Sequence, residues 1–479
     1  MRGCLFFRKA LKANMVSKMV FVLLAVLTHV VGLSNNNKKK PNIVFLLADD
    51  LGWTAGGCFG STYYETPNID RLAKEGMRFD HGYATMMNCM PSRASIMSGQ
   101  YTTRHKMYSV TNFQDKVKKR NGDLSRFKFL QPPLVKNLSK DILTIAESLK
   151  KVGYTTAMFG KWHLGYGTEY HPSKRGFDEA IVSQRKHYNF VTVPPVEHDS
   201  NQYLSDFLAD CSIDFIERHS KSDKPFFLFF SDFLVHKPLE AKQEYIDYFT
   251  AKEKSEYHKS PVAAAMIKSH DESIGRIIDK LDELGLSEET LVIFNSDNGG
   301  LGYSEDGKRL ENTSNYPLRY FKGFEFDGGL RVPYIFKWPG KIPANTLNSQ
   351  YIINIDLYPT ILSITGAPEP DHVLDGVNLI PILEDPEATL PPRDIFFYLP
   401  IYSSFNRPCV IARRGDLKMI HLFEEDRNEL YHTGTDINES TDISAQYPEL
   451  VQELKNAAFR WLEETGAPEF APNPEYKAE

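Results

Sequence analysis

Cys89 stands two residues before Pro91, and residues 92–98 read as a short helix stopped by Gly99. Proline suits the first turn of a helix, because its missing N–H has no partner there. Cys89 is therefore expected at a helix mouth, where free N–H groups and the dipole favour an anion. Taken alone it reads as a buried cysteine ahead of an ordinary helix, and its distant companions give it a second reading. Asp49 and Asp50 directly follow the apolar run 42–48, and Asp297 and Asn298 follow the run 290–294. Each run reads as a buried parallel strand, so each pair falls at the carboxyl edge of a sheet, where open α/β sheets bind ligands. Oxygen donors unaccompanied by paired histidines or cysteines suit calcium or magnesium. Lys161 and His163 follow a third strand (154–159), and alternation puts them on one side with Trp162 on the other. His236 stands beyond a fourth strand, 225–230, and Lys322 precedes Asp327-Gly328-Gly329.

The phrase Cys89-Met90-Pro91-Ser92-Arg93, with Gly99 behind it, resembles the signature of the formylglycine-dependent sulfatases, in the arylsulfatase and N-acetylgalactosamine-sulfatase-like part of the alkaline-phosphatase superfamily. Thr66-Pro67-Asn68-Ile69-Asp70-Arg71-Leu72, Lys161-Trp162-His163 and Asp327-Gly328-Gly329-Leu330-Arg331-Val332-Pro333 resemble further phrases of that family. The last departs from it, with Asp327 where the family has glutamate. The resemblance covers nearly all of 41–466. It implies that Cys89 is oxidised to formylglycine by a formylglycine-generating maturation enzyme, and that Asp49, Asp50, Asp297, Asn298 and residue 89 hold one Ca2+ (or Mg2+). It also implies roles for Arg93, Lys161, Lys322 and His236 in neutralising sulfate oxygens or protonating the leaving alcohol, with His163 hydrogen-bonded to the formylglycine hydroxyl. Arg331 is a candidate anchor for Asp327. The fold so implied is the alkaline-phosphatase-like α/β fold: a large, mostly parallel sheet flanked by helices, and a smaller C-terminal α+β subdomain with an antiparallel sheet.

Helical periodicity marks 141–152, 203–216 and 357–364, and the longest helix opens at Ser260-Pro261 and ends before Gly285. Thr66 is the expected N-cap of the helix that opens at Pro67. The stretches 106–138 and 172–201 read mainly as loops that, with 301–321 and 400–408, wall the site. Pro391-Pro392 marks a boundary, giving 35–390 as the catalytic domain and 391–479 as a subdomain with strands, a helix at 448–464 and an extended tail.

The 479 residues, 42% hydrophobic and 25% charged with a net charge of -6, give no electrostatic reason to expect nucleic acid as partner. Five cysteines are too few for a disulfide framework in so long a chain. Arg2, Arg8, Lys9, Lys12 and Lys18 precede an apolar run, 19–31, that is shorter than the roughly 20 residues of a membrane span. The expectation is a signal peptide over 1–34, with Met15 as a second possible start, and a secreted or periplasmic protein without stable membrane insertion. The expected substrate is a sulfated carbohydrate carrying galactose or N-acetylgalactosamine sulfate. His187, Tyr188, Asn189, His198, Asn312, Asn315, Tyr316, Arg319, Tyr398, Tyr402 and Arg407 supply rings and amides to grip it. The rival readings are a phosphatase or phosphodiesterase of the same superfamily, and a glycan-binding relative if Cys89 stays unmodified.

Overall fold

The run Asn42–Ala48 is apolar on both of its faces, so a layer must cover each. The computed structural model, which describes residues 40–302, 314–403 and 406–477, makes this run the middle strand of a nine-stranded sheet. Val44, Leu46 and Ala48 enter one core, Ile43, Phe45 and Leu47 the other, and none retains exposed surface. Phe226–Ser231 and Thr290–Ser296 flank the run in parallel, with Phe45 opposite both Phe229 and Ile293. Thr155–Gly160 and Glu179–Ser183 continue the parallel set on one side. On the other side Tyr334–Lys337 turns antiparallel, followed by Met77–Phe79 and Thr346–Asn348.

The first core is closed by Pro261–Glu283, Leu204–His219 and Pro67–Glu75, and the second by Cys89–Ser98, Ile145–Lys150 and Leu357–Thr365. The longest helix starts as its sequence dictates: Pro261 occupies the first turn and Ser260 Oγ accepts from Ala263 N at 3.2 Å. Thr66 differs from expectation. Its hydroxyl accepts from Gly57 N and donates to Asp70, while the Asp271 carboxylate takes the N–H groups of Asn68 and Ile69 instead.

Ile395–Leu399, Cys409–Arg414, Leu417–Leu422 and Arg427–His432 form the expected antiparallel sheet, covered by Val451, Leu454, Ala458 and Trp461 of the helix Pro448–Glu464. Its apolar face also packs on Met86, Met87, Phe321, Phe324 and Phe326, which flank Cys89 and Lys322 in the chain. The tail pairs Ala471–Pro472 with Phe129–Leu130.

Two stretches expected as loops carry regular structure. Within 106–138, Phe113–Asn121 is a helix whose cap Asn112 accepts from Asp115 N at 3.3 Å and which Gly122 ends at φ 70°. Within 172–201, Glu179–Ser183 is a sheet strand, paired in turn with the antiparallel edge strand Thr192–Val193. The signal peptide expected over 1–34 and Asn312 lie outside the described residues. Among the described residues no helix is long and apolar enough to cross a membrane.

Candidate active site

The carboxyl ends of four parallel strands meet over the first turn of the helix Cys89–Ser98. That helix has no apolar stripe; all ten residues are buried, as befits a helix set between a sheet and its outer layer. Cys89 itself is the first helical residue, three residues ahead of the expected start at Ser92, with Asn88 extended before it. Gly99 ends the helix at φ 66°, donating to Ser95 O, and a Cβ there would lie 2.7 Å from Leu374 and Tyr358.

Backbone hydrogen bonds tie the strand ends together. Asp49 N donates to Leu234 O (2.8 Å), Asp297 N to Ala48 O (3.2 Å) and Lys161 N to Ser231 O (2.8 Å). Asp50 takes a left-handed backbone (φ 63°), held by its N–H on Asp297 Oδ1 at 3.1 Å. His163 does the same at φ 65°, so the strand does not continue through it as alternation predicted. Lys161 and His163 nevertheless arrive at one place. Lys161 Nζ lies 2.5 Å from Asp49 Oδ2, and His163 Nδ1 lies 3.4 Å from Cys89 Sγ. Trp162 is buried in the second core with its indole N–H on Tyr170 O.

Three buried acids are matched by three cations. Arg93 Nε binds Asp297 Oδ2 at 2.7 Å, Lys161 binds Asp49, and Lys322 Nζ binds Asp50 Oδ1 at 2.5 Å. Arg93 Nη1 is held by Lys161 O (2.8 Å) and Ser231 Oγ (2.6 Å), while Nη2 has no hydrogen-bond partner among the described residues. Burial, opposed by Lys161 and reinforced by Asp297 and Asp50, pushes Asp49 well above the usual carboxylate range. Burial acts on Asp50 too, but Lys322, His236 and Lys161 overcome it and hold that carboxyl low. Burial together with Lys161, Arg93 and Lys322 keeps His163 well below the ordinary imidazole value, hence neutral. His236 is pushed down to about 3, chiefly by burial. Its Nδ1 sits 2.7 Å from Lys237 O, so the neutral ring turns an unprotonated Nε2 toward Asp50 Oδ2, 3.8 Å away.

The donor set fits a hard divalent cation. Asp49, Cys89 and Asp297 bring one ligand atom each within 4.8 Å of one another. Asp49 Oδ1, Asp50 Oδ2 and Asn298 Oδ1 are buried without a hydrogen-bond partner among the described residues. Asn298 spends its Nδ2 on Asp50 Oδ1 and Gly299 O, which leaves its oxygen free. Unpartnered buried oxygens are costly, and a Ca2+ taking six or more oxygen ligands satisfies them. The Asp49–Cys89–Asp297 cluster is that of a Ca2+-binding, formylglycine-type site.

Several residues depart from their expected parts. Asp327 is buried and is held by Arg413, Lys418 and Tyr83. Arg331 instead donates to Asp80 O and lies 4.1 Å over the Trp53 ring. His187 is buried and bonded to His236 O, His198 stacks 3.9 Å from Phe190, and Asn315 is buried against Gly300 O. Tyr398 and Tyr402 are buried, with their hydroxyls on Pro468 O and Glu424, and Arg407 pairs with Glu424. Most of these side chains are occupied in packing; of the expected sugar-gripping residues among the described ones, Asn189, Arg407 and Tyr316 are exposed, Tyr316 with its ring stacked 3.7 Å from Tyr257. Sequence reasoning passed over Ser231, which locks Arg93 to Lys161. It also passed over Asp232, whose Oδ1 accepts from Phe233 N and whose Oδ2 takes His270 at 2.8 Å, pinning the segment that leads to His236. The signal for both was their place directly after a fully apolar strand, as with Asp49.

With its acids and bases balanced, the site becomes positive on taking up a divalent cation, and so is built for an anionic ester at the edge of an alkaline-phosphatase-like sheet. The model of one protein family, described as Sulfatase, matches residues 41–367, and another, described as N-sulphoglucosamine sulphohydrolase, C-terminal, matches 318–463. The chain belongs to the sulfatase family and is a sulfatase-type hydrolase. It is 30% identical to a sulfatase of Formosa agariphila over 90% of both chains. It is 32% identical to the N-acetylgalactosamine-6-sulfatase of Canis lupus familiaris over 75% of this chain and 69% of that one. The crystal structure of Ps i-CgsB in complex with k-i-k-neocarrahexaose superposes with a TM-score of 0.75 at 27% identity, covering 91% of this chain and 95% of that one.

Proposed function

We propose that the protein removes sulfate from a sulfated carbohydrate, with residue 89 as formylglycine and one Ca2+ held by Asp49, Asp50, Asp297, Asn298 and residue 89. The observation that carries the reading is the convergence of Cys89, His163, Arg93 and Lys161 on the acid cluster. Formylglycine supplies an oxygen nucleophile for sulfur, and the cation supplies Lewis acidity. The protein's own groups do the rest. The Cys89 Sγ marks where a hydroxyl of residue 89 would stand, and neutral His163 offers Nδ1 there to accept its proton. Arg93 Nη2, aimed at the cluster and 3.7 Å from Asp49 Oδ1, is available to a sulfate oxygen. Lys161 and Lys322 add positive charge fixed by buried carboxylates, and preorganised charge of that kind acts on a transition state. His236 faces the same space, where its unprotonated Nε2 can accept a hydrogen bond from a hydroxyl of the substrate.

The carbohydrate reading is supported by the relatives named above; a cavity of about 740 Å³ beside His163, lined by Trp162, Tyr166, Val182 and Pro194 as well as His171 and Lys174, offers room for a substrate. Within that class galactose or N-acetylgalactosamine sulfate is favoured by the same relatives. The signal-like start supports a secreted or periplasmic setting, and maturation would need a formylglycine-generating enzyme as partner.

The test has two arms. Mass spectrometry of the Cys89 peptide should show loss of the thiol, and Cys89→Ala should abolish turnover. Matched galactan, carrageenan, glycosaminoglycan, steroid and small aryl sulfates, with a phosphate monoester beside them, should give the highest kcat/KM on a carbohydrate. Preference for the steroid or the phosphate, with no desulfation of the glycan fragments, overturns the reading.

A further inference from the structure

Asp327 lies five residues beyond Lys322, away from the acid cluster, at the centre of a second buried ionic network. Arg413 Nη2 donates to both of its oxygens (2.8 and 2.9 Å), Lys418 Nζ to Oδ1 (2.9 Å) and Tyr83 Oη to Oδ2 (2.8 Å). Its own N–H binds Glu439 Oε2 at 2.7 Å, and Glu439 Oε1 takes a second bond from Lys418 at 2.6 Å. Arg413, Lys418 and Glu439 expose nothing and Asp327 1%. Burial opposes the Asp327 charge, but Arg413 and Lys418 overcome it and hold the carboxyl well below its usual range.

Three buried ion pairs are weak evidence for stability, since desolvation offsets most of the attraction. Their effect here is a fixed position, and the geometry shows what is fixed. Asp327 opens a tight turn in which Gly328 N donates to Arg319 O and Gly329 N to Phe326 O. The turn leaves no room for a side chain: a Cβ on Gly328 would lie 2.2 Å from Tyr320 O. Arg319 joins the network through Glu439 O at 2.6 Å and lies 3.9 Å over Phe326. From this turn and the residues just ahead of it three backbone bonds reach the active site. Lys322 N donates to Gly300 O (2.9 Å), Gly323 N to Met87 O (3.1 Å), and Gly299 N to Gly329 O (3.0 Å). They tie Lys322 to the segment behind Asn298 and to the segment ahead of Cys89.

We propose that Arg413, Lys418 and Glu439 of the C-terminal subdomain, acting through Asp327, are positioning residues for Lys322, so that the smaller sheet is part of the apparatus for ester cleavage. The inference rests on Lys322 serving the reaction as proposed above. It also gives the Asp327-for-glutamate departure a physical sense: the shorter acid is met by an arginine and a lysine that both reach it.

The test is a double-mutant cycle on matured, Ca2+-loaded protein with a small aryl sulfate. Asp327→Asn keeps the shape and leaves the Arg413 and Lys418 charges unmatched by it. It should lower kcat/KM by about 100-fold when Lys322 is present, the scale of loss expected from a misplaced catalytic group. In a Lys322→Ala background the same change should cost less than about 3-fold, because the two act as one unit. Glu439→Gln removes charge but retains an acceptor, and the same non-additivity is expected at a smaller loss. If Asp327→Asn fails to fold by thermal unfolding, the Glu439→Gln cycle decides. Equal losses in both backgrounds, or no loss in either, overturn the inference and leave the sulfatase reading intact. An unmutated protein that cleaves no sulfate ester overturns both.

Discussion

Arg93 shows how much chemistry one side chain concentrates here. Its fork meets Asp297 through Nε and Lys161 O and Ser231 Oγ through Nη1, and turns Nη2 toward Asp49. Lysine cannot reproduce that geometry, because its single ammonium lacks the planar spread of donors. Arg93→Lys is therefore expected to lower kcat/KM by about 100- to 1000-fold, the range for losing one transition-state donor. Ser231→Ala removes only one prop of the fork and should cost far less. Comparable losses for the two, measured on one small aryl sulfate, would count against a direct role for Nη2. At this scale the residues the sequence singles out, Cys89, Arg93, Lys161, His163, His236, Lys322 and the four oxygen donors, lie near one another, and their roles are those proposed above. The sugar-gripping residues were not legible, because a histidine or tyrosine in a polar loop looks the same whether its ring faces solvent or, as with His187 and Tyr402, is buried.

The elements that deliver these residues were legible where one strong period or one stop signal dominated. Asn42–Ala48 and Pro448–Glu464 fall where apolar runs, prolines and glycines put them. The short helix Phe113–Asn121 escaped because its stretch is charged and its few apolar residues, Phe113 and Val117, set no period; they pack on Leu124 and Phe127 just beyond it and on the distant Tyr402. The strand Glu179–Ser183 escaped because its membership of the sheet is decided by pairing with Thr155–Gly160, which no local pattern announces. A prediction at this scale concerns the support behind the Cys89 helix. His105 is buried, with Nδ1 accepting from Met107 N at 3.2 Å and Nε2 placed 3.0 Å from Ser95 Oγ on that helix. Nδ1 is thus the acceptor and Nε2–H the donor, so the pair needs a neutral ring. Burial lowers the folded value from 6.5 to about 3. Protonation then favours the unfolded chain: the stabilisation is complete above the unfolded value and is lost as pH falls from 6.5 toward 3. Between pH 7 and pH 5 this one group should remove about 2 kcal/mol of unfolding free energy. Denaturant titrations of the parent and of His105→Gln should differ in that slope, the variant being flatter; parallel curves would show that His105 does not titrate on unfolding.

Taken whole, the molecule is a wide sheet whose carboxyl edge is braced from two directions. Helices press on both faces, and the smaller sheet packs its apolar side on Met86, Met87 and the Phe321–Phe326 turn. The site so braced is under tension from its own donors, since Asp49 Oδ1, Asp50 Oδ2 and Asn298 Oδ1 are buried without hydrogen-bond partners among the described residues. A cation held there joins the ends of two neighbouring strands, Asn42–Ala48 and Thr290–Ser296, and binds only the folded state. Ligands of that kind raise stability by an amount set by concentration over Kd, about 2.7 kcal/mol at a hundredfold excess. Removing calcium with a chelator should therefore lower the unfolding temperature, and restoring Ca2+ should return it in a concentration-dependent way. Magnesium should restore less, because its small octahedral shell tolerates irregular protein cages poorly. Asp297→Asn keeps the shape of the ligand but removes its charge and weakens the hold on Arg93. In that variant the calcium-dependent part of the shift should shrink strongly while the metal-free protein still unfolds cooperatively. An unfolding temperature indifferent to chelator and to calcium, with elemental analysis showing no bound calcium or magnesium, would remove the cation from these four residues. The unpartnered oxygens would then need another explanation.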